Sequence, residues 1–137
     1  MTNRDLATAY LAKAEVRRKV LDLFLAEKAY SDVVREAQEL VELALKAMLR
    51  RVGAEPPHWH DVGFLLIEHA NRLRPITDDE IQELARISRW LRKEREFSFY
   101  GDIDFIPTEE YSPHTAETAI RDADYVLSAC RRVVRVA

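Results

Sequence analysis

The sequence predicts an all-α fold, an antiparallel up-down helical bundle of four long helices plus one short helix. Three observations carry this. Apolar residues recur at helical spacing along almost the whole chain, and no segment alternates for long enough to make a strand. Glycine and proline are confined to a few breaks: Gly53 with Pro56 and Pro57, then Pro75, then Gly101, Pro107 and Pro113. Only Gly63 falls inside a candidate helix. With 137 residues the chain is expected to form one domain over 1–137.

The first helix is expected from about Asn3 to Lys28. Thr2 with Asp5 forms a capping pattern, and Leu6, Ala9, Tyr10, Val16, Val20, Leu23 and Phe24 are taken as its inner face. The central helix follows a short turn. Val33, Ala37, Leu40, Val41, Ala44, Leu45 and Met48 mark its buried stripe, with Ser31 as a candidate N-cap and Gly53 as its terminator. Glu42 and Lys46 stand in the favourable i, i+4 order. A shorter third helix is expected over about Asp61 to Leu73, with Phe64, Leu65, Ile67 and Ala70 apolar. Thr77 to Glu80 is a capping box for the fourth, whose stripe is Ile81, Leu84, Ile87, Ser88 and Leu91. Ser112 and Pro113 open the last helix, with Ala116, Ala119, Ile120, Ala123, Val126, Leu127, Cys130 and Val134 inward. Short turns between such helices favour antiparallel neighbours.

Composition excludes several function classes. A net charge of -3 with 33% charged residues is a mixed, solvated surface, not a nucleic-acid-coating basic protein. The single cysteine, Cys130, gives no intrachain disulfide and no cysteine-built metal site, which fits a reducing cytoplasm. No apolar run is long enough to span a bilayer, and the first ten residues lack the layout of a signal peptide. No cofactor is expected.

Candidate functional residues gather in three places. Arg86, Arg89, Arg92, Lys93 and Arg95 lie on the fourth helix. Arg86, Arg89, Arg92 and Lys93, at i, i+3, i+4 spacing, are expected to share a face, a basic stripe that leads to Tyr100. Guanidinium groups beside an aromatic suit phosphate and base recognition, and a solvated face paired with Glu94 and Glu96 is the competing reading. The connection from Phe97 to Tyr111 is long for a bundle loop and rich in aromatics. It is either functional or a plug for one end of the core. His58, His60 and Asp61, with His69 further on, offer metal-ligand types, but two ligands separated by one loop residue are a weak signal. Capping of the third helix accounts for His60 and Asp61, and no metal is expected. Arg131, Arg132 and Arg135 favour the end of the last helix dipole. Cys130 reads as core.

Three segments together resemble the HEPN family. They are the alanine-rich AQELVELALKAMLRRVG, the connector EPPHWHDVGFLL, and the closing REFSFYGDIDFIPTEEYSPHTAETAIRDADYVL. The resemblance implies an up-down bundle that usually dimerises. Some members are RNA-cleaving toxins with an Arg, a polar residue and four to six positions to a His near the last long helix. Others pair with a small nucleotidyltransferase and are thought to bind nucleotide or a partner. This chain departs from the nuclease pattern. Arg95 is followed by no histidine before His114, and Arg51 and His58, although six residues lie between them, sit after the central helix. The resemblance therefore implies a homodimeric, non-enzymatic module that binds nucleotide or RNA and acts with a small nucleotidyltransferase in a toxin-antitoxin or defence pair. Arg89, Arg92, Arg95, Tyr100, His60 and Asp61 are its binding candidates, and no catalytic residue is assigned. The alternatives are a ribonuclease with a non-standard Arg/His pair and a ligand-free interaction scaffold.

Overall fold

The computed structural model describes residues 2–55, 62–99 and 111–135, with the backbone alone for 95–99. Its helices are α1 (Asn3–Ala26), α2 (Tyr30–Arg51), α3 (Val62–Glu68), α4 (Asp78–Phe99) and α5 (Pro113–Val134). A 3-10 turn at Ala70–Arg72 follows α3, so the short helix is broken sooner than the sequence suggested. Among the described residues there is no strand. No helix is long and apolar enough to cross a membrane.

The helix ends follow local chemistry. Thr2 Oγ1 accepts from the Asp5 amide at 3.1 Å while the Thr2 amide donates to Asp5 at 3.0 Å. Thr77 and Glu80 exchange the same pair of bonds at the start of α4. Ser112 caps α5 by accepting from the Thr115 amide at 3.1 Å, with Pro113 in the first turn. Both α1 and α2 end in a left-handed residue, Lys28 at φ 60° and Gly53 at φ 81°. In each case the next amide reaches back six residues inclusive, Ala29 to the Phe24 carbonyl and Ala54 to that of Leu49, both at 2.9 Å. Ser31 is not the cap of α2. The helix begins at Tyr30 behind Ala29, two residues before a Ser31 cap would start it, and Ser31 is buried.

Side-chain ties between helices give the directions. Arg17 of α1 donates to Glu36 of α2 at 2.5 Å, across a turn roughly midway between them, so α1 and α2 are antiparallel. Arg18 pairs with Asp124, and Glu15 accepts from Arg131 and Arg135, so α5 runs against α1. Glu80 pairs with Arg132 and Arg86 with Asp122, so α4 runs against α5. The result is the up-down bundle that the sequence predicted.

At its centre lies α2. Every residue of its expected stripe is buried, and Val34, Ala47 and Leu49 are buried as well. The stripes of α4 and α5 are also buried as expected, with Ile120 half-buried. The expected face of α1 is corrected in part: Tyr10 and Phe24 pack partly against the core as expected. Ala7, Leu11, Ala14 and Leu21 are buried, whereas Ala9 is exposed and Val16 and Leu23 are 61% and 59% exposed. Helix α1 carries two apolar stripes on opposite sides, and the one with small Ala7 and Ala14 lets α2 approach closely. On α3 the outward residues are Phe64, 61% exposed, and Ile67, 38% exposed, while Val62 and Leu66 are buried. Leu49 is core, and Leu43 and Trp90 pack partly against the core.

Leu45→Ala should cost about 2–5 kcal/mol, the sum of lost transfer energy and a cavity. Urea denaturation measures it, and a loss below about 0.5 kcal/mol would place Leu45 at the surface. A second test concerns the start of α4. The Arg132 guanidinium, with the Thr77 amide, holds the Glu80 carboxyl down at about 2, from an ordinary 4.5. A depressed carboxyl stabilises the fold above its unfolded pKa and loses that contribution as pH falls through its folded value. Glu80→Gln should therefore be less stable than the parent at neutral pH, and the gap should close between about pH 4.5 and about pH 2. An equal gap at both ends of that window would contradict the assignment.

Candidate functional site

Helices α4 and α5 both rest on α2 but make little direct contact with each other. They are tied by Glu80–Arg132, Arg86–Asp122 and a bond from the Tyr111 hydroxyl to α4. Between these ties an open groove of about 600 Å³ remains. Arg86, Trp90 and Glu94 line it from α4, one turn apart. His114, Thr115, Thr118, Arg121 and Asp122 line it from α5, and Tyr111 closes one end.

The groove is polar and charge-balanced at its walls. Arg86 forms a fork with Glu83, at 2.6 and 3.0 Å, and reaches Asp122 at 3.4 Å. Burial pushes the Asp122 carboxyl up, partly opposed by Arg86. The Tyr111 hydroxyl donates to the Glu94 backbone carbonyl at 2.9 Å and lies 3.0 Å from the Glu94 carboxylate. Burial and that carboxylate raise the phenol well above its ordinary value, so Tyr111 is a structural donor and not a proton source near neutrality. What remains for a ligand is the half-buried Trp90 ring on one wall and exposed His114 and Arg121 on the other, with the Thr115 and Thr118 side chains between. An indole face stacks on planar rings, and a guanidinium offers paired donors to phosphate.

The residues singled out from the sequence are distributed differently. Arg89 is exposed on the outer face of α4. Arg92 turns to the far side, where its charge helps lower the Glu42 carboxyl after Gln38 and Lys46. Arg86 leans towards α5. The basic stripe thus winds around α4 and does not converge on one groove. The Arg95 side chain, Tyr100, His60 and Asp61 lie outside the described residues, as does the aromatic connection over 100–110; its expected first residues, 97–99, instead continue α4, and Tyr111 joins the core. His69 sits 3.5 Å from Arg72, and among the described residues no group of three His, Cys, Asp or Glu side chains is placed to hold a metal. Sequence reasoning missed Trp90, Thr115, Thr118 and Arg121 as a set. The polar i, i+4 and i+7 spacing from His114 to Arg121 was readable, but not which helix it faces.

The fold and groove define a small helical-bundle domain with an open polar cleft between its last two long helices. A family model for the HEPN domain matches residues 7–133, and the chain belongs to that family. No curated protein matches it.

Tyr111→Phe should remove the highest-pH step of the tyrosine absorbance titration and cost about 1 kcal/mol of stability. A titration with that last step intact would show that another tyrosine carries the raised pKa.

Proposed function

We propose that this HEPN domain is a single-domain, non-enzymatic binding module. In this reading it dimerises, binds a nucleotide or short RNA in the α4/α5 groove, and acts in the cytoplasm with a small nucleotidyltransferase in a toxin-antitoxin or defence pair. The groove carries the argument. It sets the Trp90 ring opposite Arg121 and His114, the minimum for stacking a base and holding its phosphate. Arg89 is exposed on the outer face of α4 and is not among the residues that line the groove. The nucleotidyltransferase rests on family resemblance alone, and the cytoplasm on the lone buried cysteine.

A second reading has one observation in its favour. His114 lines the same groove as Arg86 and Arg121, so a base and a cation share a cleft, as metal-independent RNA cleavage requires. Cleavage of single-stranded RNA in the presence of a chelator, abolished by His114→Ala, would favour a ribonuclease over a binding module.

Titration of labelled nucleotides and short RNAs at two salt concentrations tests binding. Stacking contributes about 1–3 kcal/mol per base, so Trp90→Ala should weaken binding about 5- to 150-fold and leave the salt slope unchanged. Arg121→Ala should weaken it and flatten the slope by about one counterion. No binding at low salt would leave the scaffold reading.

A further inference from the structure

The outward stripe of α1 has no use in the bundle. Ala9, Ala12, Val16 and Leu23 are exposed and Val20 is half-buried, in a line along one side of the helix. With Lys13, Arg17 and Glu36 the middle of this line forms a shallow recess of about 550 Å³. Val16 and Leu23 are among the most exposed large apolar residues described, and contiguous apolar surface of this kind marks an interaction site.

We infer that this face is where two copies of the chain meet, α1 packing antiparallel on α1 about a two-fold axis at Val16. The inference rests on the homodimer reading above and adds its surface. The stripe is self-complementary in size. With Val16 facing Val16 of the second copy, Ala12 faces Val20 of that copy and Ala9 faces its Leu23. Small residues thus meet large ones along the seam, the arrangement that fills a helix interface.

The charges are complementary as well. A two-fold axis lying across the helices sets each flank against the same flank of the other copy, run in the opposite direction. Lys13 stands on the flank that holds Glu36, and Lys19 on the flank that holds Glu15. Neither lysine forms an ion pair among the described residues. Reversal about Val16 brings Lys13 over Glu36 of the second copy and Lys19 over Glu15 of that copy. Each carboxylate is already held by arginine within its own chain, at 2.5 Å from Arg17 and 2.7 Å from Arg135, and so is fixed in place to receive a second cation. A second copy of this chain is therefore the occupant that the face fits, in a contact that runs along about 21 Å of helix.

Sedimentation of the full chain at micromolar concentration should give a species of twice 15.9 kDa. Val16→Glu opposes two carboxylates at the axis and should raise the dimer Kd at least about thirtyfold, a loss the size of a central hot spot, with the helicity of the folded chain unchanged. Val16→Cys should cross-link with itself under mild oxidation, whereas Leu23→Cys, set far from its own copy, should not. Cys130 is buried and stays silent. A dimer that survives Val16→Glu, or a Val16→Cys that does not cross-link within a dimer, overturns this interface and leaves the homodimer reading standing. A species of 15.9 kDa alone at every concentration overturns both.

Discussion

The structure depends on burying α2 on nearly all sides. Ala37, Ala44 and Ala47 keep its girth small, so α1, α4 and α5 can each approach the backbone, while Leu40, Leu45, Met48 and Leu49 fill the gaps between them. Three long helices that share one central neighbour cannot all touch each other. Helix α5 packs on α1 as well as on α2, and α4 packs on α3, so α4 and α5 part. The groove is a geometric consequence of where the apolar volume lies, and the polar residues that line it need only avoid that volume.

Charged pairs then fix the register of helices that burial alone would let slide. Arg18 bridges Asp22 and Asp124, Glu15 gathers Arg131 and Arg135, and Arg132 closes on the capping carboxylate Glu80. Each pair is solvent-facing, and such pairs contribute little individually. Their value is directional, because a shift of one turn would part every pair between helices together. Cys130 has a related role inside the core. Its thiol donates to the Ala44 carbonyl at 3.3 Å, and burial pushes its pKa up to about 12, so it packs as a small apolar side chain and is not a nucleophile.

Much of this was legible in the sequence. The caps at Thr2, Thr77 and Ser112 and the stop at Gly53 are local patterns whose partners lie within a few residues. The stripes of α2, α4 and α5 could be read because each has a single dominant apolar face. Helix α1 was misread because it has two, and periodicity ranks them by bulk, which favoured Val16 and Leu23 over Ala7 and Ala14. Ser31 has a capping side chain but belongs to the interior. The arginines of α4 were visible as a basic run, yet successive members sweep around the helix, so Arg86 and Arg92 end near different neighbours. The groove was hidden for the complementary reason. Trp90 and Arg121 become neighbours only through the packing of both helices on α2.

The central claim is that the cleft formed by this packing holds a base against Trp90. The chain has two tryptophans, so Trp59→Phe leaves Trp90 as its only indole. Fluorescence of that variant, followed as nucleotide is added at low salt, reports directly on the groove. The account predicts saturable quenching that reverses when nucleotide is removed by dialysis. Emission unchanged at nucleotide concentrations that occupy the protein by an independent binding measurement would place the ligand elsewhere and contradict it.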